Sequence, residues 1–248
     1  MIFLPAGAAC LYRRLSLASY GADQTTDRRM SRKLPFGILL FVGLTLLGWG
    51  LSDAWAFFQN PVRAAYVLSV ALLSLAIALW FPEAMTSGGL GTRTVNQQKL
   101  TIWWLQAVSL ALTVGGPYCD HLGLAVLSSP VFRYVGLVLA VGGFVLMLWA
   151  RVALGRQFSL HVTLQPGHRL VTEGLYRHLR HPRYTGILFF LVGTALVYRS
   201  WLGLLLAAVS LVVLLWRIHD EETLLRREFG AQWAAYAQKT PRLLPYLY

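Results

Sequence analysis

The chain is dominated by long apolar runs that are almost free of charged residues. Four of these runs, each of 17 to 20 residues, cover 34–52, 64–81, 100–116 and 131–150. A helix needs about 20 mainly apolar residues to cross the hydrocarbon core of a bilayer. Only helices and closed barrels cross lipid, because every backbone polar group must be hydrogen-bonded there. The runs therefore predict an all-α, multi-pass transmembrane bundle.

A fifth apolar run, 187–216, is too long for a single membrane span. It has 30 residues and carries Arg199 close to its middle. Because a charged side chain in the centre of a bilayer is costly, we expect two short helices that meet in a turn at Arg199. This C-terminal hairpin brings the expected number of membrane segments to about six. It also places the residues before and after the run on the same face of the membrane.

The distribution of positive charge predicts the orientation. With the N-terminus in the cytoplasm, 19 of the 22 Lys and Arg residues lie on cytoplasmic segments, and the other three are Arg63, Arg133 and Arg199. Such an asymmetry is typical of integral membrane proteins and here predicts that both termini are cytoplasmic. The net charge of +12 is explained in this way. Nucleic acid is not an expected partner, because no basic module with interleaved aromatic residues is present.

The polar residues divide the chain into three parts. We expect a basic N-terminal arm at 1–33, a transmembrane bundle at 34–150, and a core with the helical hairpin at 151–248. The spans carry no acidic residue at mid-depth, which argues against an ion-coupled transporter. Cys10 and Cys119 lack the spacing of metal ligands, so no metal site is expected.

A polar segment at 168–186, with the sequence HRLVTEGLYRHLRHPRYTG, precedes the hairpin. Pro182 disfavours a helical conformation at His181 and is itself favoured at the first position of a helix. We therefore expect a helix to begin at Pro182, with its free N–H groups beside Arg180 and His181. Such a helix start can bind a carboxylate or a phosphate. A basic anchor at the membrane surface is the alternative interpretation.

A second polar segment, 217–248, follows the hairpin and begins with an acidic cluster. Asp220, Glu221 and Glu222 are consecutive in a chain with only ten acidic residues. At the end of the last helix they would face the negative end of its dipole, so they need a positive partner. That partner is either a cationic ligand or an ion-pair network with Arg226 and Arg227. If the hairpin forms, this cluster faces the basic helix start, and the pair suits a zwitterionic amino-acid group.

Taken in order, three motifs resemble the isoprenylcysteine carboxyl methyltransferase family, and the phospholipid N-methyltransferases share a looser version. The resemblance covers about 151–248, and Trp233 stands where the family often has Tyr. The first four apolar runs match no motif. The motifs are His168-x-Leu170-Val171-Thr172-x-Gly174-x-Tyr176, Arg180-His181-Pro182-x-Tyr184-x-Gly186, and Glu221-Glu222-x-x-Leu225-x-x-x-Phe229-Gly230-x-x-Trp233-x-x-Tyr236.

The resemblance implies methyl transfer from S-adenosyl-L-methionine to a lipophilic acceptor, which is a small molecule, a lipid or a prenylated substrate and most often a carboxylate. Arg217 and Glu222 are implied as catalytic residues, with Arg217 near the reacting carboxylate. Glu221 or Glu222 would bind the ammonium group of the cofactor, and 161–176 would form a lid over its adenosine. The implied cytoplasmic cofactor pocket contains His168, Leu170, Tyr176, Arg180, His181, Pro182, Tyr184, Gly186, Glu221 and Glu222.

Other functions remain open at this point. NADPH-dependent sterol or isoprenoid reductases of membranes carry a related Arg-His-Pro-x-Tyr-x-Gly turn, and Asp220-Glu221 with Trp233 fits their pattern. Glu222-x-x-Leu225 and the small size of the chain favour the methyltransferase, although this is an analogy between related folds. A phospholipid N-methyltransferase and a non-enzymatic membrane scaffold are the further alternatives.

Overall fold

The computed structural model describes residues 24–80, 98–154 and 170–244. These residues form helices and no β-strand, so the predicted all-α class is confirmed for them. Residues 38–248 form one compact unit, and the contacts described below lie within it. The α-helices are α1 (Gln24–Trp49), α2 (Ala54–Gln59), α3 (Pro61–Trp80), α4 (Gln98–Leu122), α5 (Val131–Leu154), α6 (Pro182–Val197) and α7 (Trp201–Lys239), with short 3-10 helices at Leu51–Asp53 and Gly174–Arg177.

Three or four of the described helices meet the length and composition of a membrane span. Leu100–Leu122, Val131–Leu154 and Trp201–Lys239 do so alone, and Phe36–Trp49 does so with Leu51–Gln59 across a bend of 94°. Pro61–Ile77 and α6 are apolar but shorter. At 1.5 Å per residue, the 16 residues of α6 extend only about 24 Å, which is less than the roughly 30 Å of a hydrocarbon core. The coarse prediction of a helical membrane bundle is confirmed, whereas the count of six segments stays a prediction.

The predicted hairpin is present, and its turn lies where Arg199 interrupts the apolar run. α6 ends at Val197, Arg199 has a φ of 53°, and α7 begins at Trp201. The Ser200 side chain accepts a hydrogen bond of 3.0 Å from the backbone N–H of Gly203, which caps the new helix. The two helices pack against each other along the bundle. We call the two ends of this bundle the Pro182 end and the Tyr198 end.

One premise about the acidic cluster is wrong. α7 does not stop after the apolar run but stays helical beyond Glu222, and a kink at Gly230 separates this part from a second helical stretch that ends at Lys239. Glu221 and Glu222 therefore lie in the interior of a helix and not at the negative end of its dipole. The reason is local, because the Glu, Leu and Arg residues at 221–228 are strong helix formers.

Glycine contacts set the register between α5 and α6. A Cβ atom added to Gly136 would lie 2.7 Å from the carbonyl oxygen of Gly193, and one added to Gly143 would lie 2.7 Å from that of Gly186. Such gaps leave no room for a side chain, so the two backbones touch, as small residues in membrane helices allow. Because later residues of α5 meet earlier residues of α6, the helices are antiparallel. The end of α5 therefore reaches the start of α6 at the Pro182 end.

At the Tyr198 end, Arg63, Arg133 and Arg199 all bind one carboxylate. They are the three basic residues that the charge distribution predicted to lie outside the cytoplasm. The side chain of Asp120 is fully buried and accepts hydrogen bonds from Arg63 at 3.2 Å, from Arg133 at 2.7 and 2.8 Å, and from Arg199 at 3.2 Å. Arg133 also donates to the carbonyl oxygen of Val197 at 2.7 Å. These residues, which we call the Asp120 cluster, connect α3, α4, α5 and the hairpin turn. Buried charges need such pairing.

Candidate active site

The second motif forms a turn that is fixed by backbone contacts from the C-terminal tail. As predicted, α6 begins at Pro182, but His181 before it is neither helical nor extended, with φ −126° and ψ 55°. The backbone N–H groups of Arg180 and His181 donate to the carbonyl oxygens of Pro241 and Arg242, at 2.9 and 3.0 Å. The C-terminal tail thus holds the turn by backbone hydrogen bonds, and the start of α6 lies beside it.

Tyr176 precedes this turn in the chain and connects its segment to the end of α5 and to α7. Its hydroxyl donates to the carbonyl oxygen of Ala150 at 3.2 Å, and its own carbonyl oxygen accepts a bond of 2.6 Å from the Tyr236 hydroxyl. Burial raises the pKa of Tyr176, so the hydroxyl stays protonated at physiological pH. Leu170 is half-buried nearby in sequence. His168 and positions 161–169 of the predicted lid lie outside the described residues.

Glu222 is the centre of a buried ion-pair network. Its Oε1 atom accepts from Arg180 at 2.7 Å and from Nε2 of His181 at 3.1 Å, while Oε2 accepts from Arg242 at 2.8 and 3.0 Å. The Glu222 side chain is only 6% exposed. Charge-assisted bonds of this kind are the strong ones. Glu222 therefore ties α7 both to the turn before α6 and to the C-terminal tail.

The partners that the sequence suggested for this acid are not the ones that the structure places there. Arg226 and Arg227 are exposed, and the network uses Arg180, His181 and Arg242 instead. Arg226 stands four residues after Glu222, a spacing at which ion pairs do form on a helix, but both oxygens of Glu222 are already engaged by Arg180, His181 and Arg242. Arg242 carries no sequence signal for this role, because its position depends on how the tail folds back after Thr240.

A second chain of hydrogen bonds runs beside the first. The Nε atom of Arg217, which is 4% exposed, donates to the Tyr184 hydroxyl at 2.8 Å. That hydroxyl in turn donates to Oε2 of Glu221 at 2.7 Å. Among the described residues, no other donor reaches Glu221 in hydrogen-bond geometry. Glu222 is thus engaged by two arginines and a histidine, and its neighbour Glu221 accepts a hydrogen bond from Tyr184.

This constellation lies inside a region that matches known proteins. The family described as "Phospholipid methyltransferase" matches residues 131–232. The "Probable protein-S-isoprenylcysteine O-methyltransferase" of Oryza sativa subsp. indica is 37% identical over 171 residues, which cover 63% of this chain and 84% of that protein. The chain belongs to the protein-S-isoprenylcysteine O-methyltransferase family. The resemblance in the motifs is thereby confirmed.

Two further comparisons agree with this family assignment. "Protein-S-isoprenylcysteine O-methyltransferase B" of Arabidopsis thaliana is 34% identical over 119 residues, covering 45% of this chain and 58% of that protein. Among solved structures, the eukaryotic intramembrane Ras methyltransferase ICMT (isoprenylcysteine carboxyl methyltransferase) matches with a TM-score of 0.53 and 21% identity. That match covers 84% of this chain and 74% of the other. At this identity the likeness shows the fold, which this chain shares.

Most of the predicted site residues of this family member come together at the Pro182 end. Two predicted residues have packing contacts instead: Gly186 faces α5, and Pro182 is buried at the start of α6. Hydrogen bonds join Arg180 and His181 to Glu222, and join Arg217 through Tyr184 to Glu221, whereas Tyr176 bonds to Ala150 and Tyr236 and Leu170 is half-buried.

Proposed function

We propose that this chain transfers a methyl group from S-adenosyl-L-methionine to a carboxylate on a lipophilic acceptor at the membrane, with a prenylated cysteine as the acceptor class. The family assignment supports a methyltransferase. The observation that carries the proposal is the chain of bonds from Arg217 through Tyr184 to Glu221. It places a cation that can orient a carboxylate beside a carboxylate that can bind an ammonium group.

The residues of the Pro182 end fit this cofactor. Glu221 would bind the ammonium group, and its hydrogen bond from Tyr184 would hold it in place. Glu222 would act indirectly, because its ion pairs hold Arg180 and His181 in place. Leu170, Tyr176 and His168 would cover the adenosine. When bound, S-adenosyl-L-methionine supplies an electrophilic methyl group on a sulfonium centre.

The contribution of the protein to such a reaction is alignment and exclusion of water. A carboxylate nucleophile is already ionised at neutral pH, so no general base is required. Arg217 would orient the attacking oxygen, and the Tyr184 hydroxyl would fix the guanidinium group. Correct orientation alone can account for several kcal/mol of the barrier.

The acceptor and the cofactor would reach this site from different sides. We propose that the chain crosses the membrane about six times, with both termini and the Pro182 end in the cytoplasm. A lipophilic acceptor would then enter from the bilayer, and the polar cofactor would enter from the aqueous phase. The Asp120 cluster would lie at the opposite surface, where Trp201 and Tyr134 are exposed as interfacial aromatic residues.

Phospholipid N-methylation is the second candidate, because the matching family description names a phospholipid methyltransferase. It shares the cofactor with the first candidate and differs in the chemistry of the acceptor. The reductase alternative differs in the cofactor itself.

The cofactor can be identified by calorimetry on the purified chain in detergent. We expect S-adenosyl-L-methionine or its demethylated product to bind at micromolar concentrations and NADPH to bind much more weakly. The expected preference follows from the cationic turn and the Glu221 carboxylate, which suit a zwitterionic amino-acid group. Binding of NADPH alone would contradict the methyltransferase proposal.

A further inference from the structure

The Asp120 cluster at the Tyr198 end carries more positive than negative charge. Its arginines contribute three positive charges against one negative charge, which leaves +2. Their other hydrogen bonds go to carbonyl oxygens, which accept donors but carry no net charge. The side chains of Arg63 and Arg133 are only 10% and 8% exposed, so water screens this charge poorly. A buried excess of charge is costly unless a counter-ion balances it.

The phenol of Tyr198 is buried within range of this cluster and forms no described hydrogen bond. Tyr198 is 1% exposed, and its hydroxyl has no hydrogen-bond partner among the described residues. The hydroxyl lies within electrostatic range of Asp120, Arg63 and Arg133. A Cβ atom added to Gly116 would lie 2.9 Å from the Tyr198 ring. Because the ring packs so closely on α4, it has little freedom to turn its hydroxyl towards solvent.

Arg199 supplies a second donor of the same kind. Its Nε atom is buried and has no hydrogen-bond partner in the part of the chain that the structure describes, while Nη1 and Nη2 bind Leu127 and Asp120. Arg63 uses three of the five N–H bonds of a guanidinium group, two on carbonyl oxygens and one on Asp120. Buried polar groups are as a rule hydrogen-bonded. The cluster therefore has more donors than its described acceptors engage.

We propose that the Asp120 cluster binds a small monovalent anion, chloride under physiological conditions, with the Tyr198 hydroxyl and guanidinium groups of the cluster as its donors. A buried water molecule would satisfy the hydroxyl but would leave the excess charge unbalanced, whereas an anion does both. Since the cluster connects α3, α4, α5 and the hairpin turn, the bound anion would stabilise the bundle. The proposal does not depend on the proposed function, because the cluster lies at the end of the bundle opposite the candidate active site.

Thermal unfolding of the wild type in different salts tests the proposal. The full chain in detergent would be melted at constant ionic strength while sodium gluconate is replaced stepwise by sodium chloride. We expect the melting temperature to rise by about 3 °C or more and to reach a plateau, since an anion that binds only the folded state stabilises it by mass action. Bromide should act like chloride. A melting temperature that is the same in gluconate and chloride would overturn the proposal.

Tyr198→Phe removes the proposed donor, and Tyr134→Phe is the matched control. Tyr134 follows Arg133 in the sequence but is 58% exposed. In Tyr198→Phe the rise with chloride should fall below about 1 °C. Its melting temperature in gluconate should be no lower than that of the wild type, because an unsatisfied buried hydroxyl is removed. Tyr134→Phe should keep the full rise, whereas a full rise in Tyr198→Phe, or an equal loss of stability in both salts, would contradict the assignment.

Crystals of the wild type grown in bromide provide a measurement that does not depend on the folding of a variant. We expect an anomalous difference peak beside the Tyr198 hydroxyl. Density at that position without an anomalous signal would indicate a water molecule and would overturn the proposal of an anion.

Discussion

Replacement of Asp120 by Asn is expected to lower the free energy of unfolding by about 3 to 5 kcal/mol. Asp120 is the carboxylate that Arg63, Arg133 and Arg199 share, and its side chain is fully buried. An amide would leave three arginines without a counter-charge at the Tyr198 end. The cost is large because removal of one partner exposes the desolvation penalty of the others. Thermal or denaturant unfolding in detergent measures it.

Asp53→Asn provides the control for this measurement. Asp53 is also an aspartate, but its side chain is 51% exposed and its carboxylate lies 3.9 Å from Nδ1 of His121. Exposed pairs of this kind contribute little, so we expect a change within about 0.5 kcal/mol. Equal effects of the two substitutions would show that the Asp120 cluster does not hold the helices together.

Glu222→Gln is expected to abolish activity and to lower the stability of the protein without cofactor by about 3 kcal/mol. Its carboxylate holds Arg180, His181 and Arg242 at once, and an amide would turn a donor towards the arginines. Glu221→Gln is expected to abolish activity for a different reason. Its amide oxygen can still accept from Tyr184, so stability without cofactor should change by less than about 1 kcal/mol.

The two variants therefore separate a structural acid from a binding acid. At a cofactor concentration of about 100 times Kd, the wild type should gain about 2.7 kcal/mol of stability from S-adenosyl-L-methionine. Glu221→Gln should lose this gain while it melts at the wild-type temperature in the absence of cofactor. A Glu221→Gln protein that keeps the full cofactor-induced shift would remove Glu221 from the cofactor site.

The hairpin could be predicted because its signal is local. A run of 30 apolar residues with Arg199 in the middle allows few arrangements, and the structure places the turn there. The start of α6 was predictable for the same reason, because Pro182 restricts its own backbone and that of His181. The hydrogen-bonded turn before Pro182 could also be identified from its motif.

The partners of Glu222 could not be predicted, because they depend on tertiary folding. The sequence placed the acid at a helix end, whereas α7 stays helical beyond Glu222. Its partner Arg242 arrives on a tail that is fixed by backbone hydrogen bonds, which leave no pattern in the sequence. In the same way, Arg63, Arg133 and Arg199 could be counted as charges outside the cytoplasm, but their shared contact with Asp120 appears only when four elements meet.

The central claim is methyl transfer to a carboxylate, and the chemical stability of the labelled product tests it most directly. The purified chain would be incubated with methyl-labelled S-adenosyl-L-methionine and an N-acylated S-prenyl cysteine, and the lipid-soluble product would be treated with mild alkali. We predict that the label enters the prenylated acceptor and is released by alkali as methanol, as a methyl ester requires. A label that stays in a base-stable product, or no transfer to the carboxylate acceptor at all, would contradict the account.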